Sequence, residues 1–182
     1  MRYTIGGRGK GWKISQTTLG HERALIANPR KIQGQFADLL ELARASRRGD
    51  GHAIDDPGVR RRLVEIEGYL QSQLYTHYRQ LSDAQHGREP AVSLPALVSK
   101  LHTNEIGKEI VKLAMDLVDA GESLGVPDVS KSILGAANEP GGWMAKYLFS
   151  HGSALGGGAP NIQRNIIGER GLGLPRDLRG RR

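Results

Sequence analysis

DDPGVRRRLVEIEGYLQSQLYTHYRQL, running from Asp55 to Leu81, marks where a helix begins and which of its sides is apolar. Asp56 has the short oxygen-bearing side chain of an N-cap. Pro57 suits the first helical position, where a missing N–H costs nothing. Val59, Leu63, Ile66, Leu70, Leu74, Tyr78 and Leu81 then recur at three- and four-residue spacing. That period puts them on one face of an amphipathic helix, the strongest such signal in the chain.

Working outward, Ile14, Leu19, Ile26, Ile32, Phe36, Leu39 and Leu40 give an apolar face over about residues 11–46. Pro29 interrupts it, which predicts a kink or break near Ala27–Pro29. Leu97, Leu101, Ile106, Ile110, Leu113 and Leu117 line a third helix over about 93–124, with Pro95 in its first turn and GVPD at its end. A shorter helix carrying Trp143, Tyr147 and Leu148 is expected over about 140–154. A last one follows the Gly156–Pro160 turn and is stopped by Pro175. Strand patterns are nearly absent. The reading is an all-α chain, an up-and-down bundle of three long helices closed by two short ones. It divides into a leading loop at 1–10, the bundle at 11–175 and a basic tail at 176–182.

The 182 residues suffice for one domain with a sizeable core. Hydrophobic residues make up 38% and charged residues 25%, as in ordinary soluble globular chains. No cysteine is present, which removes disulfides, thiolate zinc sites and cysteine nucleophiles and fits a cytoplasmic setting. No apolar run approaches the roughly 18 residues of a membrane span, so no membrane partner is expected. MRYTIGGRGKGWK is charged but lacks the apolar core of a signal peptide, and it reads as a loop leading into a helix. The net charge of +7 would suit a polyanion. Much of it lies in RGKGWK and in the terminal RDLRGRR, and no recognition helix or aromatic platform accompanies it. Nucleic acid is therefore not expected as a partner.

Two features could carry chemistry. GGGAPNIQRNIIGERGLGLPRD, from Gly156 to Asp177, places a bare turn directly before a helix start. Glycine allows close approach to the backbone, and a helix N-terminus offers free N–H groups. The same glycines would equally serve a loop that only turns a corner. Glu22 lies in a largely apolar stretch between Leu19 and Ala24–Ala27. A buried carboxylate there would suit a general base. One paired with Arg23 or a neighbouring helix would be structural. His21, His52, His77, His86, His102 and His151 show no HxxxH spacing, and no metal site is expected.

Taken together, these segments resemble the C-terminal helical domain of acyl-CoA dehydrogenases. GKGWKISQTTLGHERALIA (Gly9–Ala27) is similar to the start of that domain's first long helix. DDPGVRRRLVEIEGYLQS resembles the second helix of a subset of the family, and PALVSKLHTNE the start of the third. GWMAKYLFSHGSALGGGAPNIQRNIIGERGLGLPRD resembles the closing motif, usually a Gly-Gly-Thr turn before a Gln-Arg helix. The likeness covers nearly the whole chain, and its closing motif is the most specific part.

The resemblance implies a flavin-dependent α,β-desaturation of an acyl-CoA thioester, with FAD as cofactor and an electron-transfer flavoprotein as acceptor. In the family a glutamate takes the α-proton. One of its two possible positions precedes the final helix and falls here on Gly157, which cannot act as a base. The other lies on the first long helix and falls on Glu22, which the resemblance makes the catalytic base. Gly157, Gly158 and Asn161 fall at flavin-binding positions, and Gln163 and Arg164 on the helix that follows. Ala159-Pro160 stands where the family usually has Thr-Ser or Thr-Asp, and the Arg-x-x-Phe-Gly motif is missing near Arg44–Gly51. Family members place the flavin between this domain and a middle β domain. The resemblance therefore implies a chain inactive alone and working in a homo- or hetero-oligomer. The other reading it leaves open is a non-catalytic helical module kept for oligomerisation.

Overall fold

A computed structural model describes residues 5–87, 94–118 and 142–176 of the chain. It contains α1 (Gly11–Ile26), α2 (Pro29–Ala45), α3 (Pro57–Gln85), α4 (Leu94–Leu117), α5 (Trp143–Ser153) and α6 (Pro160–Ile166). A π turn, Ile167–Gly171, extends α6. A two-residue antiparallel ribbon pairs β1 (Arg47–Arg48) with β2 (Gly51–His52) between α2 and α3. The fold is all-α, as the spacing of apolar residues predicts.

The expected first long helix is two helices. Asn28 is extended, and its side-chain oxygen accepts a hydrogen bond from Arg30 N at 3.0 Å. Pro29 then occupies the first turn of α2. Proline cannot donate to the preceding turn and displaces its carbonyl, and here an N-cap stands ready to start a new helix. Of the third helix, Leu94–Leu117 is seen, and the expected end at GVPD lies outside the described residues. The fourth helix starts at Trp143 after the Gly142 cap; the first part of the 140–154 reading lies outside them too. Arg176, placed in the basic tail by its charge, pairs with Glu169 at 3.1 Å.

Asp56 caps α3 as its position predicts, accepting from Gly58 N at 2.8 Å and Val59 N at 3.0 Å. The Val59 N–H above all, helped by the Gly58 N–H and the Arg48 guanidinium, holds its carboxyl below the usual range against the opposing pull of burial. Asp56→Ala removes the single oxygen, Oδ1, that accepts from both orphan N–H groups. It is expected to lower the thermal midpoint and to raise amide exchange in the first turn of α3 before any other, which exchange mass spectrometry would read.

The core is built by α2, α3 and α4. Ile32, Phe36, Leu39 and Ala43 meet Val59, Leu63, Ile66 and Leu70, and both rows meet Ile106, Ile110, Leu113 and Ala114. Trp143 of α5 packs against their edge. The α3 stripe outruns its partner. Leu74 is half-buried, while Tyr78 and Leu81 are 53% and 55% exposed. At 1.5 Å per residue, the 17 residues of α2 span about 26 Å and the 29 of α3 about 44 Å, so the last turns of α3 run past α2. Ile14, Leu19 and Ile26 on α1 are only half-buried for a related reason: α1 lies outside the α2–α3–α4 core and packs on α4. Helix α4 is the hub, touching α1, α2, α3, α5 and α6. This is why Ser99, Lys100, Thr103 and Asn104 are all buried on it.

His102 on α4 sits edge-on to Tyr69, ring centres 5.6 Å apart, and burial pushes its pKa down. The unfolded chain then takes up the proton first, near the ordinary histidine value of about 6.5. Stability is expected to hold above that pH and to fall as pH drops through it toward the lower folded value. His102→Phe should flatten this slope in thermal midpoints measured from pH 5 to 8.

Candidate functional site

Helix α5 ends at Ser153, and the chain reverses through Ala154–Ala159 into α6. Leu155 N bonds Gly152 O at 3.0 Å and Gly158 N bonds Leu155 O at 3.3 Å. Gly157 and Gly158 carry φ of 64° and 111°, a region that side-chain-bearing residues rarely enter. The glycines are thus a requirement of this turn. Ala159 caps α6 with Pro160 at its first position. Proline there forfeits only an N–H that no helical carbonyl would have received.

Two buried polar side chains hold the turn from beneath. Gln163, fully buried, folds back so that its Nε2 donates to Gly157 O at 2.9 Å. Lys100, also fully buried, donates from Nζ to Ala154 O at 2.9 Å and to Gly158 O at 2.6 Å. The Gly158 carbonyl therefore points inward. Across the same trans peptide the Ala159 N–H points away from Lys100. A Cβ on Gly158 would stand 2.6 Å from Gln163 Nε2, so the inner side of the turn has no room for a side chain.

Glu22 lies against this turn. A Cβ placed on Gly156 would be 3.4 Å from Glu22 Oε1 and 3.6 Å from Ile26 Cδ1. The structure therefore brings together the half-buried carboxylate of α1 and a glycine more than a hundred residues later in the chain. Gly157 is buried, Gly158 half-buried and Asn161 exposed. Asn161 Oδ1 accepts from the Arg164 guanidinium at 3.4 Å, so its side chain runs along the outer surface of α6. Glu22, Gly157 and Gly158 share one end of the bundle, and Asn161 stands one turn beyond them.

Sequence reading missed Lys100 and gave Gln163 no role beyond helix membership. A signal existed for the first. Lys100 stands three residues after Leu97, a same-face spacing within the apolar stripe of α4, where a charge is costly unless it is paired. The Gln163 contact depends on the reversal of the chain and leaves no local trace.

A separate depression of about 330 Å³ lies at the other end of the core, lined by Arg48, Asp56, Arg61, Arg62, Leu113 and Asp116 among others. Four of its five charges form two pairs, Arg48 with Asp56 at 3.2 Å and Arg62 with Asp116 at 2.5 Å, and Arg61 reaches Glu65 at 4.0 Å. It contains none of the residues of the turn. No described helix is long and apolar enough to cross a membrane.

Comparison with known proteins agrees with this geometry. The family model described as "Acyl-CoA dehydrogenase, C-terminal domain" matches residues 9–172. Acyl-CoA dehydrogenase IpdE1 of Mycolicibacterium smegmatis is 33% identical over 179 residues, covering 97% of this chain and 40% of that protein. The solved "Tcur3481-Tcur3483 steroid ACAD" superposes with a TM-score of 0.71 at 20% identity, over 95% of this chain and 42% of that one. The ChsE4-ChsE5 complex from Mycobacterium tuberculosis gives 0.69 at 24% identity, over 95% and 43%. The chain thus spans about two-fifths of the length of these proteins. With the turn, the helix order and the family match in agreement, the chain belongs to the acyl-CoA dehydrogenase family and forms its C-terminal helical domain.

Proposed function

We propose that this chain supplies the C-terminal half of a flavin-dependent acyl-CoA dehydrogenase site, completed by a partner, and that Glu22 is its base. The observation that carries the reading is the placement of the Glu22 carboxylate 3.4 Å from where a Cβ on Gly156 would stand, beside the glycine turn. In the α,β-desaturation of an acyl-CoA thioester, Glu22 would take the α-proton onto a carboxylate oxygen. Bound FAD would accept the β-hydride and pass the electrons to an electron-transfer flavoprotein. The residues present fit such a cofactor. Half-buried Gly156 and Gly158 offer backbone without side chains, and the Ala159 N–H is aimed away from Lys100. Gly157, Gly158 and Asn161 would hold it. Ala159 offers no hydroxyl and Pro160 no N–H, so backbone groups do this work.

The turn itself adds a reason for the partner. Among the contacts described, Glu22 and Ile26 flank the turn while Lys100 and Gln163 hold it from beneath, which makes one wall of a site. A dry pocket around a carboxylate needs a second wall. The ChsE4-ChsE5 structure is of a complex, which supports a hetero-oligomer here. We place the assembly in the cytoplasm.

The test is to record the visible spectrum and solution mass of the purified chain with FAD, alone and with candidate partner chains. A flavin spectrum that persists after gel filtration, and that an acyl-CoA bleaches, is the expected result. A colourless oligomer under every condition would favour the alternative, a helical assembly module. Gly157, Ala159 and Pro160, where the family usually has other residues, speak for that alternative.

A further inference from the structure

We propose that Lys100 is a positioning residue for this site: its buried ammonium clamps both ends of the glycine turn and so sets the spacing between Gly156 and Glu22. Lys100 Nζ holds Ala154 O at 2.9 Å and Gly158 O at 2.6 Å. Those carbonyls belong to residues two before and two after Gly156. Gly156 is the residue that faces the Glu22 carboxylate. One side chain of the hub helix α4 thereby fixes the arc whose midpoint meets the base.

The physics argues for a specific demand. Burying an ammonium is expensive, and only acceptors within the fold offset it. A methionine of similar length would fill the same space without that penalty, but it could not bind two carbonyls. Gly158, at φ 111°, has no side chain to pin its peptide planes. Its carbonyl would be free to rotate outward, carrying the Ala159 N–H inward. The clamp to Lys100 prevents this. Gln163 secures the intervening Gly157 carbonyl, so Lys100 and Gln163 together fix the orientation of consecutive peptides.

The catalytic consequence rests on the proposed function; the hold on the turn does not. Amide exchange is followed on the full chain in K100M, K100Q and K100R, with K112M at an exposed site as control. In K100M, exchange over residues 155–159 is expected to rise by about tenfold or more, with residues 110–114 unchanged and K100R close to wild type. Should K100M fail to fold, K100Q gives the same local reading. Wild-type exchange at 155–159 in the neutral variants overturns the proposal, and so does a rise shared equally by the core. In the flavin-loaded, partner-complemented protein, K100M should cut kcat by about tenfold or more with KM little changed, and K100R should recover most of it. A loosened turn with kcat unchanged would leave the hold of Lys100 standing and count against the turn's place in the active site.

Discussion

Glu22→Gln lowers turnover of the partner-complemented enzyme by about 10²–10⁴-fold, the range over which a positioned general base acts, and leaves assembly unchanged. The amide has nearly the shape of the carboxylate but cannot take a proton at neutral pH. Glu22 is half-buried at the end of the bundle, outside the α2–α3–α4 core, so the exchange removes no core packing. The loss should therefore appear in kcat, with acyl-CoA binding and flavin content close to wild type. Stopped-flow reduction of the flavin by an acyl-CoA isolates the step. Undiminished reduction in Glu22→Gln would exclude Glu22 as the base and return the choice to another acid from the partner.

Gly158→Val is the other large effect, and it acts on folding as well as on the site. A β-branched residue at φ 111° carries backbone strain of roughly 1–3 kcal/mol. Its Cβ would also stand 2.6 Å from Gln163 Nε2. Gln163 must then give up Gly157 O, and leaving a buried amide without a partner adds about 1–3 kcal/mol. Together these consume much of the roughly 5–15 kcal/mol that holds a domain folded. Urea denaturation should show a midpoint shifted far down. Gly156→Ala separates geometry from composition. Gly156 has no left-handed φ, and its Cβ would meet the flexible Glu22 carboxylate at 3.4 Å. It should unfold at nearly the wild-type midpoint, and equal damage from both variants would mean that the turn tolerates no methyl anywhere.

The helices were legible because apolar period and caps are local facts. Asp56, Pro57 and the stripe that follows mark α3, and Pro29 marks the break before α2. Burial depth was less legible. The stripe of α3 predicts a side but not how long the opposing helix is, so Tyr78 and Leu81 fall on the apolar side and stand exposed. The site divides in the same way. Glu22 and the glycine turn could be named from a resemblance, since each is a motif within its own segment. Their juxtaposition and the Lys100 bonds bring α1 and α4 to the turn across distances in the chain that no window of spacing spans, and the Gln163 bond, only six residues long, depends on the backbone path of the glycines.

The interruption at Asn28–Pro29 has an energetic consequence. Helix α1 contributes no fully buried side chain among those described, and it meets the bundle chiefly through α4. Its opening free energy is therefore set apart from that of the core, and α1 forms a weaker cooperative unit within a well-folded domain. The carboxylate at its far end is in place only while that unit is closed. Whatever docks across the glycine turn contributes its binding free energy to this closure first. On the proposed function, Glu22 would be set in place as base only by ligation, and the three-helix core folds with or without it.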